Sequence, residues 1–379
     1  MRLKIAVLSR NFSTTGGGAE RYSVAVVEEL SARHEVHVFA QKIEHDAPGV
    51  TYHKLAFRLE RPRWINQWMF AVSSWWATRK GFDIVHSHEN VWHGNVQTVH
   101  VLPVRYGLFH GKSGLALGLR YLKAATSLRL LSYLWLEKKR FTTSAHRRVV
   151  VTSDALREAM LQVYPAVAGA LEVISPGVAM PAAPATAQEK RDARALLGLP
   201  AQGTCLLFVG NDFRKKGLPS LMKALALLPP THFVAVVGHP KQQEAMQQLA
   251  QEAGVAQRLI FLGALQNMES AYRAADLLVH PTLQDTYAMV VLEAMAHGVP
   301  VVVSGLPYCG IAGELAHMEQ AWILGDPHDP AALAHAIGVV LSDTALAQGL
   351  VARGLEFAQA HSWAHAGAQH EQLFQRLVD

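Results

Sequence analysis

The 379 residues are half apolar and only 17% charged, enough for two domains of roughly 150–200 residues each and too apolar for extended disorder. Two cysteines, Cys205 and Cys309, exclude a disulfide framework, and a first segment that is already charged and strand-like leads us to expect a cytoplasmic protein without a leader. The net charge of +5 is unevenly divided: up to Met180, 23 Lys and Arg against 13 Asp and Glu leave +10, and the remainder, 12 against 17, leaves −5.

In chain order, residues 3–9 form an apolar strand, 11–18 a turn-rich loop, 19–32 a helix with Val24, Val27 and Leu30 at helical spacing, and 36–40 a second strand. This is a βαβ unit. Further buried strands are expected at 83–86, 96–101, 149–152 and 171–174. Residues 181–188, Pro-Ala-Ala-Pro-Ala-Thr-Ala-Gln, have no periodicity and read as an interdomain linker. A second alternating series follows: strand 205–209, helix 218–228, strand 233–237, helix 241–253, strand 259–261, strand 277–280, helix 290–296 and strand 299–303. The fold class is therefore α/β, with two successive parallel-sheet domains. No window reaches the roughly 18 uncharged apolar residues of a membrane span.

Three segments carry chemistry. Thr14-Thr-Gly-Gly-Gly-Ala-Glu-Arg21 sits where the first strand hands over to the first helix. Its glycines admit close backbone approach to a phosphate at a helix N-terminus, and they suit a plain connecting loop equally well. It does not match the dinucleotide fingerprint. Val209-Gly-Asn-Asp-Phe-Arg-Lys-Lys-Gly217 places three adjacent cations at the corresponding strand end of the second domain, where a diphosphate would fit. The third segment runs from His280 to Ala296, with Asp285 in a loop and Glu293 eight residues later inside an apolar helix. An acid there needs either a ligand or a buried partner cation.

Together these segments resemble the retaining family-4 glycosyltransferases. The family's Glu-x7-Glu corresponds to Asp285-x7-Glu293, followed by Leu-Glu-Ala-Met-Ala and Gly-Val-Pro-Val-Val. Gly17-Gly18, Lys216-Gly217, Pro176-Gly177 and Ser362-Trp363 match other family positions in order. The resemblance implies a GT-B architecture, two Rossmann-like domains facing across a cleft. Residues 1–180 would bind the acceptor and 181–355 the nucleotide-sugar donor, with 356–379 crossing back to the first domain. Carried over, Glu293 would hold the ribose hydroxyls, Asp285 the donor sugar's hydroxyls, and Lys216 the diphosphate. Backbone groups of Gly17, Gly18, Tyr287, Ala288, Met289 and Val290 would assist. Asn211 stands where many relatives have arginine, which leaves Arg214 or Lys215 to supply the second cation. His100, at the end of strand 96–101, corresponds to a histidine beside the transferred sugar; from residues alone it is a core or rim histidine. His86, His88 and Glu89 read as surface or acceptor-side polar groups, since a metal would need further ligands at suitable spacing. No Asp-x-Asp occurs, and no metal or cofactor is expected.

Residues 103–148 hold ten Lys and Arg against one acid, Glu137, interleaved with leucines and aromatics. Arg120, Lys123, Arg129, Lys138, Lys139 and Arg140 would face an anionic membrane surface or a glycolipid acceptor. A core helix pair with a solvated basic face explains the same pattern. Nucleic acid lacks a recognition motif here.

These features lead us to expect a metal-independent hexosyltransferase using a nucleotide-sugar such as UDP-glucose. A glycan or glycolipid of the lipopolysaccharide core, or another envelope glycan, would accept the sugar at the inner face of the cell membrane. A GDP-mannose-type mannosyltransferase, a nucleotide-sugar epimerase or phosphorylase of the same fold, and a non-catalytic nucleotide- or lipid-binding module are the alternatives.

Overall fold

Residues such as Ile5, Ala6, Val7 and Leu8 have no solvent exposure on either face of their strand, the environment of a parallel sheet covered by helices on both sides. A computed structural model, which describes every residue except Thr15, Phe57, Arg58 and Glu60, shows two such sheets. The chain divides into two compact units, Met1–Gly177 with Trp363–Asp379, and Val178–Ser362.

Unit 1 begins with β1 (Lys4–Leu8), β2 (Asn11–Phe12), α1 (Gly18–Ser31), β3 (Glu35–Ala40), β4 (Lys42–Ile43), β5 (Val50–Lys54) and α2 (Arg63–Thr78). It continues with β6 (Ile84–Ser87), β7 (Val96–Val99), α3 (Val104–Phe109), α4 (Gly114–Ala125), α5 (Leu128–Arg140), β8 (Arg148–Val151), α6 (Asp154–Val163) and β9 (Leu171–Val173). Seven strands form one parallel sheet in the order β5-β3-β1-β6-β7-β8-β9. The pair β2 and β4 stands apart.

Unit 2 opens with α7 (Ala187–Leu196), β10 (Thr204–Val209), α8 (Leu218–Leu227), β11 (His232–Val237), α9 (Gln243–Glu252) and β12 (Leu259–Gly263). Then come α10 (Glu269–Ala274), β13 (Leu277–His280), α11 (Met289–Ala296), β14 (Val301–Ser304), β15 (Trp322–Leu324), α12 (Pro330–Ser342) and α13 (Thr344–Ala360). Its parallel sheet has the order β12-β11-β10-β13-β14-β15. Along β10, Cys205 and Leu207 enter one apolar cluster while Leu206 and Phe208 enter another, the period-2 alternation of a strand buried on both faces. The closing helix α14 (Trp363–Val378) belongs to unit 1, where Leu373, Phe374 and Leu377 join the core of α1 with Val24, Val27 and Leu30.

Three expectations change. The division falls at 177/178, three residues before the sequence boundary at 180/181. The return to unit 1 starts at Trp363, because α13 continues unbroken through 356 to Ala360. The linker stops short of 188: Thr186 and Glu189 form a reciprocal capping box that starts α7 at Ala187. The sequence reading names no helix at α2, whose buried face is largely polar, with Asn66, Gln67, Ser74 and Thr78 beside Phe70 and Ala71, while the apolar Val72 and Trp76 are exposed. No single described helix is long and apolar enough to cross a membrane.

Candidate functional site

In an open parallel sheet, ligands bind outside the carboxyl ends of strands where the strand order reverses. In unit 2 that point lies between β10 and β13, so the loops 210–217 and 281–288 flank it. The two loops are clasped. Gly217 has φ +83°, and a Cβ there would come within 1.8 Å of the Pro281 carbonyl oxygen, so only glycine fits. The Lys215 carbonyl accepts from Leu283 N–H at 2.9 Å. On the other side, Asp285 N–H donates to Tyr308 O at 2.8 Å and Gly310 N–H donates to Asp285 O at 3.0 Å.

This clasp sets the Asp285 carboxylate at the switch point, largely buried. Its Oδ2 is ion-paired with Lys216 Nζ and sits 3.2 Å from His280 Nε2. Its Oδ1 accepts from Ala288 N–H at 3.1 Å. Burial alone would raise its pKa, but the His280 hydrogen bond and the Lys216 charge reverse that and hold it well below the usual carboxylate range. Burial pushes the His280 imidazole down, against the opposing pull of Asp285. The sequence motifs assign no role to His280; a histidine ending an apolar strand directly before a proline is the signal that marks it.

Of the loop residues expected to meet the donor, Tyr287 is a core side chain and Ala288 is buried. The Ala288 N–H is already used by Asp285, so within 287–290 the N–H groups of Met289 and Val290, which open α11, are those left at the helix N-terminus. Ala288 caps that helix with φ +75°, a left-handed conformation costing a β-carbon about 1–2 kcal/mol. Little more than one turn on, Glu293 is 5% exposed and its Oε2 accepts from Tyr272 O–H at 2.6 Å. A phenol therefore meets this carboxylate, where the sequence alone left open a ligand or a partner cation. Arg214 and Lys215 are exposed beside Lys216, and burial, then the Lys216 charge, lowers the Lys215 pKa. Asn211 Oδ1 accepts from His239 N–H at 3.1 Å, tying its loop to the end of β11.

In unit 1 the order reverses between β1 and β6. Arg10 and Glu89 lock the two loops there, Nε to Oε2 at 2.7 Å. Gly17 caps α1 and Gly18 opens it; their neighbour Thr15 lies outside the described residues. His100, half-buried just beyond β7, has its Nε2 3.0 Å from His88 Nδ1. His86 Nε2 meets Thr98 Oγ1 at 2.7 Å, and His370 Nε2 meets Tyr22 Oη at 2.8 Å. Burial pushes His100 and His370 down to about 3, and His86 and His88 well below their ordinary value. All four imidazoles are neutral at pH 7. His86 is thus an interior residue and His88 half-buried, a correction to the surface reading. Tyr22 and His370 come from α1 and α14, far away in sequence.

Arg140 is also corrected. It is 6% exposed, its Nη2 donates to Thr98 O at 2.6 Å, its Nε to Gln97 Oε1 at 3.1 Å, and burial pushes it down to about 10. It holds β7 from within and cannot face a membrane. Lys123, Arg129, Lys138 and Lys139 are exposed and Arg120 half-exposed on α4 and α5. Around them Leu115, Leu119, Tyr121, Leu122, Leu128 and Trp135 are exposed as well, which a core helix pair would have buried. Among the described residues, no group of three His, Cys, Asp or Glu is arranged to hold a metal ion.

Two family profiles cover this frame in sequence order. "Glycosyltransferase Family 4" matches residues 16–180, and "Glycosyl transferases group 1" matches residues 189–356. The chain belongs to the family-4, group 1 glycosyltransferases. Among relatives in the family, D-inositol 3-phosphate glycosyltransferase of Mycolicibacterium gilvum is 32% identical over 231 residues, 58% of this chain and 49% of that protein. The chain thus matches about half the length of such curated relatives. WaaG, a glycosyltransferase involved in lipopolysaccharide biosynthesis, superposes with a TM-score of 0.82 at 21% identity, covering 98% of this chain and 99% of WaaG. Anabaena HepE in complex with UDP and glucose gives 0.76 at 16% identity, covering 99% of this chain and all of the other. At those identities the likeness is one of fold, and it matches the two parallel-sheet Rossmann-like units of the GT-B glycosyltransferases.

Proposed function

We propose that this chain transfers a hexose, with retention at the anomeric carbon, from a UDP-sugar to a lipid-borne glycan of the cell envelope. The observation that carries the reading is the largely buried Lys216–Asp285–His280 group at the switch point of unit 2, beside the start of α11, the helix that carries Glu293. Transfer leaves negative charge on the departing diphosphate. Lys216, the second cation from Arg214 or Lys215, and the N–H groups of Met289 and Val290 meet that charge, the kind of preorganised stabilisation that lowers a barrier most. Asp285, kept ionised, accepts from donor-sugar hydroxyls, and Glu293 from the ribose. The diphosphate oxygen released takes the acceptor's proton, so no carboxylate nucleophile and no metal are required.

On unit 1, the neutral His100 offers a hydrogen bond to a sugar hydroxyl without adding charge, and Gly17 and Gly18 offer the N-terminus of α1. A UDP donor is supported by the fold likeness to HepE. A lipopolysaccharide-type acceptor and a peripheral position on the inner face of the membrane are supported by the likeness to WaaG and by the basic, apolar face of α4 and α5. A thermal-shift panel of UDP, GDP and ADP with their sugar conjugates, with and without EDTA, tests the reading. It expects stabilisation by UDP and UDP-hexose, unchanged by EDTA. Stabilisation by none of them in folded protein, or only with a divalent metal, contradicts it.

A further inference from the structure

Helices α2, α3, α4 and α5 of unit 1 surround a cavity of about 860 Å³ that the sugar-transfer reading leaves unused. Its size falls within the roughly 300–1,000 Å³ of small-molecule pockets. Trp64, Trp68, Trp135, Tyr121, Leu128 and Leu131 line it, with the Trp68 and Trp135 rings stacked at 5.1 Å. Its interior polar groups are engaged: the Trp68 indole N–H donates to Ser132 Oγ, and Tyr164 is hydrogen-bonded to Glu137. An occupant must therefore be apolar.

The rim has the opposite character. Arg105 and Lys138 reach the cavity, and neither has a carboxylate at ion-pair distance among the described residues. The one acid of this segment, Glu137, is turned inward and accepts from Val104 N–H at 2.6 Å. Arg105 is hydrogen-bonded to Tyr164 but not ion-paired, and the apolar surface around the cavity is uncovered, Leu119 at 57%, Leu122 at 61% and Leu128 at 73% exposed. An open apolar recess with cations at its edge, set in an exposed apolar face, matches an anionic amphiphile in both halves.

We propose that this cavity takes up one hydrocarbon chain of an anionic membrane lipid, with Arg105 and Lys138 meeting the headgroup phosphate. The inference rests on the lipid-facing reading of α4 and α5 given above, and its test uses no sugar donor, so either can fail alone.

The probe is an alkyl phosphate series, octyl to dodecyl, titrated below micelle-forming concentration into the full chain and followed by calorimetry and tryptophan fluorescence. We expect saturable binding of one molecule per chain, tightening up to about fourfold per methylene until the cavity is full. Ala125→Trp, at an exposed position of the cavity wall, should weaken dodecyl phosphate at least tenfold. Leu131→Trp should do the same from the facing helix. Arg105→Gln with Lys138→Gln should erase the preference for dodecyl phosphate over dodecanol. UDP affinity and melting temperature, measured on each variant, report folding and the donor site separately. Affinity independent of chain length, or both tryptophan variants binding like the wild type, would overturn the proposal. So would vesicles of phosphatidylglycerol binding the chain while monomeric dodecyl phosphate does not: the face would then be a membrane surface without chain uptake.

Discussion

The two switch points share a topology and differ in charge. In unit 2 the loops after β10 and β13 hold an ionised carboxylate against a lysine. In unit 1 the corresponding edge is underlain by four imidazoles that burial keeps neutral. A reversing parallel sheet decides where a ligand binds; the buried groups at its edge decide which ligand. A diphosphate calls for the first arrangement. A sugar rich in hydroxyls suits the second.

Acid should separate the units most sharply. A histidine neutral in the folded state but free to protonate near 6.5 when unfolded makes the unfolded state bind more protons. Stability then falls as pH drops below about 6.5, by about 1.4 kcal/mol per pH unit for each such group, until the folded value near 3 is reached. Asp285 loses stability in the same direction but in a lower window: its depressed pKa contributes stability that is full above its unfolded value near 4 and lost only below it. Hydrogen exchange at pH 7 and pH 5 should therefore show β6, β7 and α14, which share four such imidazoles, losing more protection than the 281–288 loop, which has only the buried His280 beside it. Equal loss in both units would break the contrast.

Lys216→Met should lower sugar transfer by two to three orders of magnitude, about 3–4 kcal/mol, with loss of more than half of the activity as the minimum the account tolerates. Replacing Arg129, Lys138 and Lys139 together by glutamine should weaken binding to anionic vesicles by about 1 kcal/mol per charge and spare UDP binding. Vesicle sedimentation that does not change would return that face to ordinary solvated surface. Glu293→Gln should weaken UDP roughly tenfold, with Tyr272 left to pair with the amide; calorimetry reads this directly. The smallest effect is Ala288→Gly, which relieves the left-handed cap and should raise stability by up to about 1 kcal/mol, seen as a higher melting temperature.

Much of the candidate site in unit 2 was legible because its parts are local. The basic Lys216-Gly217 turn and the Asp285-x7-Glu293 spacing each lie within one loop or one loop–helix junction, and the strand ends that carry them are unbroken apolar runs. What sequence reading missed is tertiary. Arg140 closes a stretch of exposed cations, Lys138 and Lys139, yet the turn of α5 points it inward to Gln97 and Thr98. His86 looked like His88, and only the covering of β6 by α14 tells them apart. The partner of Glu293 comes from Tyr272, 21 residues earlier. The chain's return to unit 1 was visible in Ser362-Trp363, but its starting point depended on where α13 ends.

The central claim is that Lys216 and its neighbours in unit 2 hold a diphosphate. Calorimetric titration of UDP and of uridine into the wild type and Lys216→Met tests it most directly. The account predicts that the wild type prefers UDP over uridine by at least a hundredfold, and that Lys216→Met loses most of this preference while uridine affinity stays the same. A preference that survives the substitution, or its absence in the wild type, would contradict it.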